Sequence, residues 1–324
     1  MTLKPSRANL TFEPFTDAYK DLATFRNVVE PEYPVTANEL RHWYENRDPK
    51  TVSRRFVLYD QSRIVAAGEL GQNPWMYHPK KFYLDVSVHP EVRSRGIGGA
   101  LFDHLTVELV AFDPLLVRAQ ARENRPAALH FVQKRGFTEE TREWESRLAL
   151  DTFEAEDVAL QVEDITFKTL KELTVTDPDH RRKLFGLEFS AGADAPYPDA
   201  PTQPDFTAWQ KTFFERPNFT PEAHLVALSG DEYVGMNSLN VTENEEGVLY
   251  NGLTGVRREY RRRGIARALK VKNLLWAKRN GYEVVKTWND ATNEGMLELN
   301  IALGFVKQPA WIGFKKVLRE EGSA

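Results

Sequence analysis

The chain has 324 residues, enough for two domains of ordinary size, and its net charge is −4. It contains no cysteine, which excludes thiol nucleophiles, disulfides and thiolate metal sites, and its histidines match no zinc motif, so we expect no metal. No apolar run is long enough to span a membrane and no signal peptide precedes the first predicted helix, so we expect a cytoplasmic protein.

Hydrophobic periodicity predicts a similar succession of elements in each half of the chain. In the first half we expect helices at 17–30 and 36–47, strands at 56–60, 64–70 and 82–88, a helix at 98–112, a strand at 115–121 and a helix at 126–134. In the second half we expect strands at 224–230, 233–239 and 248–256, a helix from 265, a strand at 283–288 and a helix from 294. Strand–loop–helix–strand units of this kind indicate an α/β fold with a mixed sheet and at least one parallel strand pair.

Short sequences recur in the same order in both halves, which indicates a duplicated domain. VRSRGIGGAL at 92–101 is repeated as YRRRGIARAL at 260–269, and KRGF at 134–137 is repeated as ALGF at 302–305. Both repeats have an offset of 168 residues. Chance similarity does not explain a series of matches at nearly one offset.

The duplication predicts an N-terminal domain at 1–150 and a C-terminal domain at 165–324. The connecting segment 151–164 has six acidic side chains and no basic one, so we expect it to be a solvated linker. Two Pro-rich loops, at 31–35 and 195–206, occupy equivalent places in the copies, and each is either a lid over a binding cleft or a plain connector.

Each copy has a glycine-rich loop between a strand and a helix, flanked by arginines. Backbone N–H groups at a helix N-terminus, small residues and arginines together suit a pyrophosphate. Neither loop has the Walker A or Rossmann pattern, which disfavours a nucleoside triphosphate or a dinucleotide. The predicted pyrophosphate-binding residues are Arg93, Ser94, Arg95, Gly96, Ile97, Gly98 and Gly99 in the first copy and Arg261, Arg262, Arg263, Gly264, Ile265 and Ala266 in the second.

The pattern R/Q-x-x-G-x-G/A at this place resembles the acyl-CoA loop of the GNAT N-acyltransferases. The resemblance extends to ENRPAALHFVQKRGF at 123–137 and to TWNDATNEGMLELNIALGF at 287–305. The second segment is similar to a tandem group of GNAT proteins that includes mycothiol synthase-like proteins. The resemblance implies two tandem GNAT domains.

In this family the sheet opens between its fourth and fifth strands, and acyl-CoA lies in the opening. The resemblance implies that acetyl-CoA is the default donor and that an amine attacks its thioester directly, which agrees with the absence of cysteine. Backbone N–H near Val88 or Val256 would polarise the acyl carbonyl. The backbone of Val86, Val88, Thr254 and Val256 would bind the pantetheine arm, with Asn124, Asn289 and Asn293 as further contacts, although Asn293 is equally suited to cap a helix.

Both copies depart from the family at one catalytic position. Many GNAT enzymes have a tyrosine four residues before the glycine of the Gly-Phe pair, as the acid that protonates the leaving thiolate. Here the two positions hold Val132 and Asn300. Valine cannot donate a proton, and the amide of Asn300 can donate a hydrogen bond but cannot act as an acid near neutral pH.

The candidates for a proton acceptor are few. Glu69 and Asp85 lie on predicted strands of the first copy, but alternation along its strand turns Asp85 away from the face of Val86, as for a surface carboxylate. Tyr250 of the second copy is expected on the same face as Thr254. It either positions the amine or a water molecule, or it only packs against neighbouring side chains.

We therefore expect an acetyl-CoA-dependent N-acetyltransferase that acts on a small amine, as a monomer or a homodimer. One copy would be catalytic and the other degenerate, and the asparagines and basic loop of the second copy favour that one. The alternative is a non-catalytic acyl-CoA-binding sensor or scaffold. The basic segment 257–279 suggests nucleic-acid binding as a third function, but the rest of its domain is acidic and we expect no nucleic-acid partner.

Overall fold

The computed structural model describes residues 10–155 and 160–320. The first elements are β1 (Glu13–Pro14), α1 (Tyr19–Val29), α2 (Ala37–Glu45), β2 (Ser53–Asp60), β3 (Arg63–Gly71), β4 (Lys81–Val88), α3 (Ile97–Val110), β5 (Leu116–Arg122), α4 (Pro126–Gln133) and β6 (Thr138–Ala149). They are followed by β7 (Thr166–Thr169), α5 (Leu170–Thr176), α6 (His180–Gly192), α7 (Phe206–Phe214), β8 (His224–Ser229), β9 (Glu232–Val241), β10 (Val248–Val256), α8 (Ile265–Arg279), β11 (Val284–Asp290), α9 (Glu294–Ala302), β12 (Val306–Lys307) and β13 (Trp311–Val317). Within these residues no helix has both the length and the apolar character needed to cross a membrane.

The described residues form two compact units, and neither unit is one continuous stretch of chain. The first unit contains the chain up to Thr141, the segment Asp199–Ala208 and the chain from Ile312 onwards. The second contains Arg142–Pro198 and Trp209–Trp311. The division differs from the predicted one at residue 150, because most of β6 lies in the second unit and nearly all of β13 lies in the first. Residues 156–159 of the predicted linker lie outside the described residues.

The first unit has a mixed sheet with the strand order β1-β2-β3-β4-β5-β13. The pairs from β1 to β4 are antiparallel and β4–β5 is parallel. Along β2, Phe56 and Leu58 belong to the core under α3, whereas Val57 belongs to the core under α1 and α2. Because side chains alternate along a strand, α3 and the α1–α2 pair cover opposite faces of the sheet.

The last strand of the chain completes the core of the first unit. Ile312 and Phe314 on β13 are buried in the same hydrophobic cluster as Leu101 and Leu105 of α3. The segment Asp199–Ala208 also belongs to this unit, and Asp199 forms ion pairs of 2.6 Å with Lys81 and with Arg118.

The second unit has a mixed sheet with the strand order β6-β11-β10-β9-β8-β7, and β12 pairs with β6. The β10–β11 pair is parallel, as β4–β5 is in the first unit. Leu239 of β9 and Leu274 of α8 are buried in one core, and Ala191 of α6 contacts Gly255 of β10. The α/β fold with a mixed sheet in each copy is therefore confirmed.

Candidate functional site

In each unit the parallel strand pair separates part of the way along its length. The hydrogen-bonded ladder between β4 and β5 covers only Lys81–Tyr83, although β4 continues to Val88. The ladder between β10 and β11 covers only Val248–Tyr250, although β10 continues to Val256. Each sheet therefore has a gap at this place in which backbone groups of one strand face no neighbouring strand.

The backbone of the predicted residues points into these gaps. The N–H of His89 donates to Val65 O at 2.9 Å, which places the N–H of His89 on the β3 side of β4. Alternation then turns the N–H groups of Val86 and Val88 towards the gap. In the second unit, Arg257 N–H donates to Val234 O at 2.8 Å, and the same argument applies to Thr254 and Val256.

The two glycine-rich loops have the same backbone conformation. Ser94 and Gly96 have φ angles of 60° and 84°, and Arg262 and Gly264, each 168 residues further on, have 62° and 84°. Both glycines are the N-cap residues of a helix in the left-handed region, where a side chain on Cβ is strained. The repeated sequence pattern therefore encodes a repeated loop geometry.

An arginine in each loop is tied to the strand that precedes it. Arg93 Nε donates to Val88 O at 3.0 Å, and Arg261 Nε donates to Val256 O at 2.9 Å. Each hydrogen bond joins a residue predicted to bind pyrophosphate to one predicted to bind the pantetheine arm. The loop and the open strand edge are thus held together as one site in each unit.

Free donors lie at the start of both helices. The first helical hydrogen bonds run from Ala100 N–H to Gly96 O and from Ala268 N–H to Gly264 O, both at 3.0 Å. The N–H groups that precede Ala100 and Ala268 on each helix lie ahead of these bonds and so have no helical acceptor. Among the described residues, a Cβ placed on Gly264 would have no heavy atom within 4 Å, so the loop is open beside this glycine. Both loops fit a diphosphate group.

The charges around the two loops differ. In the second unit, Asp194 forms ion pairs with Arg258 and with Arg261, the latter at 2.7 Å, and Arg263 donates to Glu163 O at 2.7 Å. In the first unit, burial and the charge of Arg125 lower the pKa of Arg93. The basic loop of the second copy is therefore partly neutralised by an internal carboxylate.

The predicted asparagines occupy different environments. Asn300 is buried and donates from Nδ2 to Asn289 Oδ1 at 2.7 Å, whereas its Oδ1 has no hydrogen-bond partner in residues 10–155 and 160–320. Asn293 is the N-cap residue of α9, but its side chain accepts no capping hydrogen bond. Asn124 lies in an exposed turn before α4. At the position equivalent to Asn300, Val132 is buried in the core of the first unit.

Tyr250 lies where β10 and β11 separate. Its hydroxyl donates to Glu245, Lys286 Nζ lies 3.4 Å from its oxygen, and its ring stacks on Trp288 with 5.2 Å between centroids. The sequence prediction that Tyr250 shares a face with Thr254 is wrong. The register of β10 against β9 shifts by one residue between Asn251 and Thr254, and such a bulge reverses the alternation of side chains.

The hydrogen bonds on the other face of β10 show the effect of this bulge. Asn273 on α8 donates to Asn237 Oδ1 at 2.7 Å, and Asn237 Nδ2 donates to Thr254 Oγ1 at 2.8 Å. Thr254 therefore faces α8. Tyr250 pairs with Asn240, whose side chain lies on the face opposite to that of Asn237.

Glu69 is held by four side chains on the α1–α2 face of the first unit. It accepts hydrogen bonds from Arg47 at 2.5 Å, Tyr83 at 2.7 Å, Ser53 at 2.9 Å and Arg55 at 3.1 Å. Burial acts to raise the pKa of Glu69, but Arg55 and Arg47 outweigh it and lower the pKa below its usual range. A carboxylate so fully bonded is a weak proton acceptor, and Glu69 fixes the positions of Arg47 and Arg55 through its hydrogen bonds.

Asp85 is the cross-strand neighbour of Glu69 and lies on the same face. It lines a pocket with about 380 Å³ of empty space, part of it open to solvent. The side chain of Asp85 is exposed to solvent at this pocket, and partial desolvation of its carboxyl group by the surrounding protein raises its pKa to about 6. A carboxyl group with a pKa near neutral suits proton transfer.

Sequence reasoning overlooked Arg26, Tyr44 and Arg55, which line the same pocket. The Arg55 guanidinium carbon lies 3.4 Å from the centroid of the Tyr44 ring, and Arg26 Nη1 is 3.4 Å from Tyr44 Oη. They come from α1, α2 and β2, and no short motif links these elements. It also missed Lys270, which is buried on α8 and whose Nζ finds no hydrogen-bond partner among the residues that the structure describes.

Comparisons with known proteins agree with this geometry. The Acetyltransferase (GNAT) family matches residues 15–137 and 189–305. A GCN5-related N-acetyltransferase from Sphaerobacter thermophilus is 21% identical with a TM-score of 0.71, and 98% of each chain is covered. A tandem GNAT protein from the clavulanic acid biosynthesis pathway is 20% identical with a TM-score of 0.71, and 97% of this chain and 100% of that chain are covered.

A third solved structure is the glucosamine N-acetyltransferase region of a fungal β-N-acetylglucosaminidase, which is 14% identical with a TM-score of 0.68. It matches 96% of this chain and 38% of that chain. The search of curated proteins gives no match to this sequence. At these identities the solved structures establish the fold alone, whereas the two family matches cover most of the sequence. The chain belongs to the GNAT acetyltransferase family and carries two copies of its domain.

Proposed function

We propose that this protein is an acetyl-CoA-dependent N-acetyltransferase that transfers the acetyl group directly to a small-molecule amine. The observation that carries the proposal is the arginine that bonds the pyrophosphate loop to the open strand edge in both units. Family membership supports acyl transfer in general. Acetyl-CoA as the donor, an amine as the acceptor and a single catalytic copy are our own additions.

Different residues of the first unit bind different parts of acetyl-CoA. The N–H groups of Ile97, Gly98 and Gly99 and the guanidinium of Arg93 hold the diphosphate. The exposed backbone of Val86 and Val88 binds the pantetheine arm as an added strand would. In this position a backbone N–H of β4 polarises the acyl carbonyl, and no enzyme nucleophile is needed.

Calorimetric titration of acetyl-CoA into the purified protein tests the proposal. It is run beside the double variants Arg93→Ala/Gly96→Asp and Arg261→Ala/Gly264→Asp, which remove a cation and add an anion at one loop each. Lys80→Ala, which removes an exposed cation at the other end of β4, is the control. We expect saturable binding of acetyl-CoA in the wild type and the control. Each double variant should lose one binding site if the loop that it alters binds acetyl-CoA in the wild type.

Release of free CoA with a panel of amines then tests turnover. Absence of binding at millimolar acetyl-CoA would overturn the assignment for both loops. Binding without acetylation of any amine would favour an acyl-CoA-binding sensor or scaffold and overturn the enzymatic part. The absence of a tyrosine at the positions of Val132 and Asn300 is compatible with turnover, because a CoA thiolate can leave without being protonated first.

A further inference from the structure

Two opposite charges face the pocket of the first unit without bonding to each other. Arg26 on α1 and Asp85 on β4 both line it. Among the described residues, Arg26 has Tyr44 Oη as its side-chain partner and forms no ion pair within 4 Å. The two charges lie close enough for each to affect the pKa of the other group. A cation and an anion that share a cavity in this way match a ligand that carries both charges.

A second cation in the pocket also has an unused donor. Arg55 Nε is bonded to Glu69, but Arg55 Nη2 is buried and has no hydrogen-bond partner within the described part of the chain. A buried guanidinium N–H without an acceptor is costly, and a ligand carboxylate would satisfy it. The remaining walls are mostly apolar and aromatic, with Phe15, Leu22, Phe25 and Phe56 among them.

From these contacts we propose that the pocket of the first unit binds an acceptor with both a primary amine and a carboxylate, such as an amino acid with an apolar side chain. Arg26 and Arg55 bind the carboxylate, and Asp85 binds the ammonium group and takes its proton. The inference rests on the proposed N-acetyltransferase function and deepens it. It also assigns acetylation to the first unit rather than to the second.

The transfer balances with the groups named. The ammonium gives one proton to the Asp85 carboxylate, and the freed nitrogen lone pair forms the C–N bond to the acyl carbon. The C–S bond breaks and its electron pair leaves with the thiolate. The second proton lost by the nitrogen goes to that thiolate, and the Asp85 proton goes to solvent.

The second unit lacks the equivalent base. Leu253 occupies the position 168 residues after Asp85. A Cβ on Gly255 would lie 2.8 Å from the Cβ of Ala191, so α6 rests directly on β10 where the first unit has Ser87 at the pocket. The second unit therefore has neither a carboxylate nor free space at this place on its fourth strand.

The test compares phenylalanine with phenethylamine, which differ only in the carboxylate, in wild type, Arg26→Gln, Asp85→Asn and the exposed control Asp60→Asn. We expect the wild type and the control to prefer phenylalanine by about tenfold or more in kcat/KM. Arg26→Gln should lose most of this preference through KM, with a clearly smaller effect on phenethylamine, which has no carboxylate for Arg26 to bind and is affected only through the pKa of Asp85. Asp85→Asn should slow both amines, and Asp85→Glu should restore part of the rate.

A binding measurement separates this inference from the proposed function. Phenylalanine is titrated into protein saturated with CoA, which has no acetyl group to transfer, and Arg26→Gln should weaken this binding. Equal rates for the two amines, with the same loss from Arg26→Gln for both, would overturn the zwitterion site but leave the acetyltransferase. If the wild-type protein does not bind acetyl-CoA at all, the proposed function itself is overturned.

Discussion

Gly71 lies directly beneath the ring of Tyr83, so that a Cβ on Gly71 would stand 2.5 Å from the tyrosine oxygen. The hydroxyl of Tyr83 can reach Glu69 and Arg47, both at 2.7 Å, because residue 71 has no side chain. Gly71 thus makes room for a tyrosine that bonds to Glu69 in the pocket of the first unit, although Gly71 does not line the pocket itself.

Replacing Gly71 with alanine should therefore push Tyr83 away from Glu69. We expect a loss of about 1–3 kcal/mol in unfolding free energy, as for other overpacked sites, and weaker acceptor binding with unchanged acetyl-CoA binding. Gly186→Ala is the matched control, since a Cβ on this helical glycine meets no atom within 4 Å. That change should stabilise by up to about 1 kcal/mol. A Gly71→Ala protein as stable as the wild type would mean that Tyr83 is free to move.

The pH dependence of turnover should report on Asp85, whose pKa is raised to about 6. If its carboxylate accepts the proton of the bound ammonium, kcat/KM rises with pH up to about 6 and is then level until the amine itself titrates. In Asp85→Asn only the free amine can react, so kcat/KM should rise without a plateau up to the pKa of the amine. A plateau that survives in Asp85→Asn would assign proton transfer to another group.

Lys270 should reduce the stability of the second unit. It is 1% exposed, no described residue forms a hydrogen bond with its Nζ, and burial lowers its pKa to about 7. We expect Lys270→Met to raise the unfolding free energy by about 1–3 kcal/mol at pH 7, measured by chemical denaturation. The exposed Lys211→Met is the control.

The sign of the pH effect at Lys270 follows from linkage. The lysine keeps its proton up to its ordinary pKa near 10 in the unfolded chain but loses it near pH 7 in the folded protein. The loss of unfolding free energy that Lys270 causes therefore becomes smaller as the pH rises from about 7 to about 10. The gain from Lys270→Met should be largest below pH 7 and fall to a smaller remainder by about pH 10, because the neutral amine is still buried without a hydrogen bond to any described residue. An equal gain at all pH values would show that packing, not charge, is responsible.

Asp194 should weaken anion binding at the second loop, because its carboxylate competes for Arg258 and Arg261. We expect Asp194→Asn to strengthen binding of acetyl-CoA to this loop about two- to fivefold, the range that an exposed ion pair can supply. Asp231→Asn, another exposed carboxylate of the same unit, should have no effect. Weaker binding in Asp194→Asn would mean that Asp194 positions the arginines for the ligand.

Much of the fold and both loops could be predicted because their signals are local. The strands 82–88 and 248–256 are rich in β-branched and aromatic residues, and a glycine before a helix after an Arg-rich turn leaves few backbone choices. The repeat at 168 residues supplied a second, independent instance of the same loop.

Features that depend on pairing between distant strands could not be predicted. The bulge in β10 reverses the side of the sheet on which Tyr250 lies. Gly252 is a residue type often found at bulges, a signal that sequence reasoning overlooked, but the glycine alone does not fix the pairing register. Simple alternation placed Asp85 correctly on the face opposite to Val86, but that face carries a pocket only because α1 supplies Arg26 and α2 supplies Tyr44. Likewise, the sequence repeat does not indicate that most of β6 lies in the second unit and nearly all of β13 in the first.

This exchange of strands has a consequence for how the protein is made. Ile312 and Phe314 are buried in the core of the first unit, together with Leu101 and Leu105. During translation, the hydrophobic core of the N-terminal copy therefore stays partly uncovered until residue 314 has been synthesised. Domains usually fold in order as they emerge, whereas this one must wait for nearly all of the second copy to be synthesised before it can close.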